Sequence, residues 1–241
     1  KMIRLQRRLS VRGRYLAMAS LVVLAGCGSP EQRAQDYYAR GMALIEKGDD
    51  LNARLELLNA VKYKSDKVEV WRALAGIDER TKAQSLFLDI RRIVELDPND
   101  LDARIRLARM MVAGGAPEAA LKVIEVAREG DTPNAALHSL KAAILARTND
   151  KPGALREAER AIAIDPTNVD SVLYVAMNKF ADGDGDTALK MLDGLHPDPK
   201  EATRIANAKI QILLRKGDLA QVETLLRKLI AEDKDPLYRN Q

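Results

Sequence analysis

Few residues in the chain have the type and spacing that chemistry demands, and the best placed lie between Asp182 and Asp193. The alternation Asp182-Gly183-Asp184-Gly185-Asp186, with Asp193 at the twelfth place, puts carboxylates where a calcium loop has ligands at its first, third, fifth and twelfth positions. The sixth place, where such a loop turns sharply on glycine, is Thr187, and Asp-Gly alternation is more simply the composition of a turn. The two histidines, His138 and His196, lie 58 residues apart with no cysteine or second histidine at ligand spacing, so packing is the expected role of His138. No GxSxG elbow, no phosphate-cradling glycine loop with its lysine and no HExxH pair occurs. The acidic residues fall at helical spacings that suit solvated faces and ion pairs rather than a paired acid and base. The expectation is a protein without catalysis, cofactor, metal or small-molecule substrate.

Cys27 is the single cysteine, which excludes an internal disulfide and leaves packing to hold the fold. Its surroundings give it another use. Lys1, Arg4, Arg7, Arg8, Arg12 and Arg14 precede an apolar run, Tyr15 to Gly26, of about a dozen residues, where a spanning helix needs about 20. This is the layout of a secretory signal. It also accounts for the charge: the chain carries 39 basic and 35 acidic residues, and without these six cations 33 basic face 35 acidic ones. The body therefore has no basic excess to attract nucleic acid.

The elements behind these residues repeat. Ala120, Ala154 and Ala188 are spaced by 34 residues, as are Ala127 and Ala161, and a fixed period of that length marks a repeat array. Between Asn149 and Asp170, Ala154, Leu155, Ala158, Ala161 and Ile162 form one apolar helical stripe, which Asp165-Pro166 ends, leaving Thr167 and Asn168 to cap the next helix. A chain of 241 residues with 46% hydrophobic but only 4% aromatic content suits an all-α stack better than one compact aromatic-rich core.

Two resemblances follow. Leu24-Ala25-Gly26-Cys27 resembles the bacterial lipobox, which implies that residues 1–27 are a lipoprotein signal ending in lipobox Cys27, whose cysteine is lipidated and becomes the first residue of the mature protein. Gly28 in place of aspartate favours the outer membrane, facing the periplasm. A short linker, 28–33, would then join the anchor to the body.

The body resembles the tetratricopeptide repeat family, with small residues at the eighth, twentieth and twenty-seventh places of each unit. Six units are expected at 34–67, 68–100, 101–134, 135–168, 169–202 and 203–236, with 237–241 starting a further helix of a longer chain. Gly41, Ala53 and Ala60 carry the pattern in the first unit, Trp71 and Ala75 in the second, Ala108, Ala120 and Ala127 in the third, Ala142, Ala154 and Ala161 in the fourth. In the second unit Leu86 and Ile93 stand where small residues belong, and in the fifth Pro197 and Pro199 shorten the second helix.

The family's fold is a superhelix of antiparallel hairpins with a concave groove lined by first helices. Carried over position by position, the partner-binding groove consists of Tyr38, Met42, Arg72, Arg109, Met177, Phe180 and Asn207, with Ile105 and Val112 also on its wall. Architecturally the chain resembles the pilotins of type IV pili and the long repeat lipoproteins of exopolysaccharide and protein-sorting systems. The expected function is a lipid-anchored scaffold that binds peptides or helices of other envelope proteins. The alternative is a docking arm of a longer enzyme whose catalytic domain lies beyond residue 241.

Overall fold

The computed structural model describes residues 29–125, 134–196 and 198–233, and Cys27 with the signal segment lies outside them. The described residues form twelve helices and no strand: α1 (Pro30–Glu46), α2 (Asp50–Tyr63), α3 (Val68–Arg80), α4 (Leu86–Leu96), α5 (Leu101–Ala113), α6 (Pro117–Glu125), α7 (Ala135–Arg147), α8 (Lys151–Ile164), α9 (Val169–Ala181), α10 (Gly185–Asp193), α11 (Pro199–Lys216) and α12 (Leu219–Asp233). None of these is long and apolar enough to cross a membrane.

The helices pair into hairpins through one repeated device. The turn inside each hairpin passes through a single residue at positive φ: Gly48, Lys82, Gly115, Asn149, Gly183 and Gly217. In each, the amide of the next residue reaches back to the carbonyl five places earlier, from Asp49 to Leu44 at 3.0 Å and from Asp218 to Leu213 at 3.0 Å, with Ala83, Ala116, Asp150 and Asp184 doing the same. This left-handed C-terminal cap satisfies carbonyls that the helix end would leave open. Four of the six positions are glycine because a Cβ at positive φ is strained. The next helix is then capped from the other side, Asp49, Asp150, Asp184 and Asp218 each accepting an amide hydrogen bond three residues on.

Between hairpins Asp100, Asn134, Asn168 and Asp198 cap in the same way. Two boundaries differ from the periodic reading. Ser29 caps α1 and Pro30 takes its first turn, where proline's missing N–H is not needed, so 30–33 is helix rather than linker. Likewise Pro199 opens α11 after the Asp198 cap, four residues ahead of the expected 203. α10 ends at Asp193 after nine residues, and Leu195 beyond it is buried in the core.

The chain divides after Arg92 into two compact units. In the first, Ala53, Leu57 and Ala60 of α2 pack with Val70, Leu74 and Ile77 of α3, and Tyr37, Tyr38, Leu44 and Ile45 of α1 close over them. Gly41 lets α1 and α2 approach: a Cβ there would stand 2.8 Å from Leu57 Cγ. Trp71 is half-buried against this cluster, and its indole N–H donates to the Ser65 carbonyl at 2.9 Å.

In the second unit the plan recurs, a hairpin plus the next first helix. Ile105, Ala108 and Val112 of α5 meet Ala120 and Ile124 of α6 and Leu137, Leu140 and Ile144 of α7. Further on, Val169, Val172 and Ala176 of α9 meet Ala188 and Leu192 of α10 and Ile205, Ala208 and Ile212 of α11. His138 is buried in α7 with Nδ1 2.6 Å from Glu157 Oε2 of α8, a packing role.

Candidate interaction surface

All seven expected groove residues stand on first helices of hairpins, and the structure sorts them by depth. In the first unit Tyr38 and Met42 lie one turn apart on α1, both half-buried, and Arg72 is exposed on α3. In the second unit Arg109 of α5 and Asn207 of α11 are exposed, whereas Met177 and Phe180 of α9 are half-buried against the core around Ala176, Leu192 and Ile212. Ile105 and Val112 are not on a groove wall. Their α5 face packs on α6 and α7, which leaves them only 4% and 8% exposed.

Phe180 is not an open aromatic face. The guanidinium of Arg215, on the last turn of α11, sits 5.5 Å from its ring centroid. Such a pair holds the ring from one side while the guanidinium's planar fork remains suited to a carboxylate. Arg215 follows Phe180 by one repeat length and one residue, which was the available signal. One repeat length also separates Asp170 of α9 from Arg204 of α11, whose side chains meet at 2.6 Å.

At the start of α1 a second polar surface forms. Tyr37 of α1 and Tyr63 of α2 stack at 5.5 Å with 12° between their planes. Arg40 lies 4.3 Å from the Tyr37 centroid and Arg33 5.6 Å from that of Tyr63. With Asp36 they line a shallow cleft of about 280 Å³. Arg40 also pairs with Glu56 at 2.7 Å, so the cleft is not strongly cationic.

A buried polar quartet joins α2, α3 and the start of α4. Arg54 Nε donates to Asp78 Oδ1 at 2.8 Å, its Nη2 donates to Ser85 Oγ at 2.9 Å, and the Ser85 hydroxyl donates to Asp78 Oδ2. Asp78 is fully buried; although burial raises its pKa most, the hydrogen bonds from Arg54 and Ser85 and the Arg54 charge together hold it below the usual carboxylate range. Asp89 of α4 has only the Arg54 charge in its favour, the weakest of the influences on it. Burial, then the charge of Asp78 and a hydrogen bond to it, push its carboxyl up to about 7, and its Oδ2 has no hydrogen-bond partner. Its position on the apolar stripe formed by Leu86, Ile90 and Ile93 was the signal in the sequence.

Around Asp182–Asp193 the geometry is that of a turn and a cap. Gly183 takes the positive φ and Asp184 accepts from the Thr187 amide at 3.1 Å. Among the described residues no group of three or more metal-ligating side chains converges.

Residues 89–144 match a model of the tetratricopeptide repeat, which covers part of the body. Among solved structures, PilW, described as a widely conserved type IV pilus biogenesis factor, superposes with a TM-score of 0.60 at 15% identity over 82% of this chain and 92% of its own. The fold is of the tetratricopeptide type. PilF of Pseudomonas aeruginosa gives a TM-score of 0.62 at 13% identity, covering 88% of this chain and 95% of that one. YrrB, described as a tetratricopeptide protein with an unusual peptide-binding site, gives 0.57 at 16% identity over 75% and 90% of the two chains. No curated protein matches the sequence. At these identities the tetratricopeptide likeness is one of fold.

Proposed function

We propose that this chain is a membrane-anchored interaction scaffold of the bacterial envelope that holds peptides or helices of partner proteins against the first helices of its hairpins. The observation that carries this reading is the tetratricopeptide fold shared with a pilus biogenesis factor over nearly the full length of that protein. Tetratricopeptide stacks present first-helix surfaces to partners, and here those surfaces mix apolar groups with arginines. The leader ending in Leu24-Ala25-Gly26-Cys27 supports a lipid anchor at Cys27 and an outer-membrane, periplasm-facing location. Pilus, secretion and exopolysaccharide machinery are the systems such a scaffold would serve. Catalysis is not part of the proposal, since no catalytic motif is present in the sequence.

Affinity purification from membranes tests it. Arg72, Arg109 and Asn207 are exposed, so an Arg72→Glu/Arg109→Glu/Asn207→Ala variant keeps the core intact, unlike changes at half-buried Met177 or Phe180. Envelope proteins that co-purify with the wild type and are lost from this variant support the scaffold. Retention of every partner by a variant with unchanged helicity refutes first-helix binding.

A further inference from the structure

The outer face of α2 carries leucines that the core does not use. Leu51, Leu55 and Leu58 are 82%, 58% and 40% exposed. Each lies two residues before a buried residue of the same helix, Ala53, Leu57 and Ala60. Two residues are about 200° of helix, so the exposed leucines form a stripe on the side away from α1 and the core. Spaced by four and then three residues, they make one contiguous apolar line, and the next position on it is Lys62. Scattered apolar residues need no explanation, but an aligned set on one helix marks a surface that something covers.

Chain length says what lies nearby. Ser29 caps α1, and Cys27 is two residues earlier, at most about 7 Å of extended chain. The start of α1 is held against the end of α2: Lys64 Nζ is 3.3 Å from Glu31 Oε1, and Arg33 stacks on Tyr63. If Cys27 is acylated, the anchor brings this end of α2 to the bilayer surface. At that end stand the Tyr37–Tyr63 stack and the long side chains of Arg33, Lys62, Lys64 and Lys67. Tyrosine rings with lysine and arginine arms beside a leucine stripe are the groups that settle at the lipid headgroup boundary.

We propose that the Leu51–Leu55–Leu58 face of α2 lies on the membrane, so that the first hairpin rests in the headgroup region and the anchor does not act as a free tether. This rests on the lipid-anchored reading of Cys27. The result is a fixed orientation, with the first helix α1 turned away from the lipid.

A fluorescent probe on the intact lipoprotein tests both statements separately. Acylation leaves no free thiol, so a Leu55→Cys variant purified from membranes can be labelled with an environment-sensitive nitrobenzoxadiazole and reconstituted into phosphatidylethanolamine–phosphatidylglycerol vesicles. Intact mass reports whether Cys27 carries its acyl chains. The proposal expects emission shifted to shorter wavelength and largely quenched by doxyl-labelled lipid. An Ala43→Cys probe, two residues on from buried Gly41 and so turned away from α2, stays water-like and unquenched. A water-like Leu55 probe on a fully acylated protein overturns the membrane face while sparing the anchor. A shifted probe that doxyl lipid does not quench assigns the face to a protein partner or a second copy, and also overturns it. An unmodified Cys27 refutes the anchored reading and this proposal with it.

Discussion

The proton that buried Asp89 keeps beside ionised Asp78 ties the stability of the first unit to pH. Because the Asp89 carboxyl is raised to about 7, the folded chain holds its proton between about pH 4 and 7 while the unfolded chain has released it. Stability therefore falls as pH rises through that window, by on the order of a few kcal/mol, and is level above it. Asp78 acts in the opposite sense. Its lowered pKa gives stability that is present above the ordinary carboxylate value and lost as pH falls. Asp89→Asn replaces the acid with an amide that can donate to Asp78 at any pH. It should raise stability at pH 8 relative to wild type and flatten the fall between pH 4 and 7, as read by urea unfolding at pH 5 and pH 8; equal effects at both values would contradict a proton held by Asp89. A second prediction concerns Gly41. Gly41→Ala puts a Cβ 2.8 Å from Leu57 Cγ in a fully buried site, and should destabilise by roughly 1–3 kcal/mol despite alanine's helix preference, measurable by thermal unfolding.

At the scale of elements, the hairpin turn is the most conserved feature of the repeats in physical terms, and it was only partly legible. Gly48-Asp49 and Gly217-Asp218 announce themselves, since glycine supplies the positive φ and aspartate the cap. Lys82 takes the same conformation with φ of 53° and no sequence mark, its turn closed by the Ala83 amide on the Asp78 carbonyl, the same backbone bond that recurs in all six hairpins. Lys82→Gly and Asn149→Gly relieve a strained conformation and should each stabilise by about 0.5–1 kcal/mol, while Gly48→Ala should cost about 1 kcal/mol; denaturant midpoints decide. The caps add an acid sensitivity. Hydrogen bonds from the Asn52 side chain and amide lower the pKa of Asp49, and those from Thr187 lower that of Asp184, so their capping is present above the ordinary carboxylate range and lost as pH falls. Helicity of α2 and α10 should loosen first on acidification, visible as a loss of amide-exchange protection there relative to the intrinsic rate at each pH.

For the molecule as a whole, the 34-residue spacing of Ala120, Ala154 and Ala188 was enough to read an all-α stack, because close helix contact demands small side chains at fixed places and all three are fully buried. The interaction surface was less legible. Periodicity assigns a residue to a helix face but does not say how deep that face lies, so Ile105 and Val112 read as wall and are core, and Met177 and Phe180 are half-covered. Arg215 and the Asp78–Asp89 quartet went unread because each depends on side chains meeting from different helices. The scaffold reading makes one claim that the second unit alone can decide, namely that partners contact first helices. A photo-crosslinking amino acid placed in living cells at exposed Arg109 or Asn207, on α5 and α11, compared with exposed Lys122 or Lys190, on α6 and α10, tests it most directly. Adducts with envelope proteins from Arg109 and Asn207, and none from Lys122 and Lys190, are the predicted result. Adducts confined to Lys122 and Lys190 would contradict it.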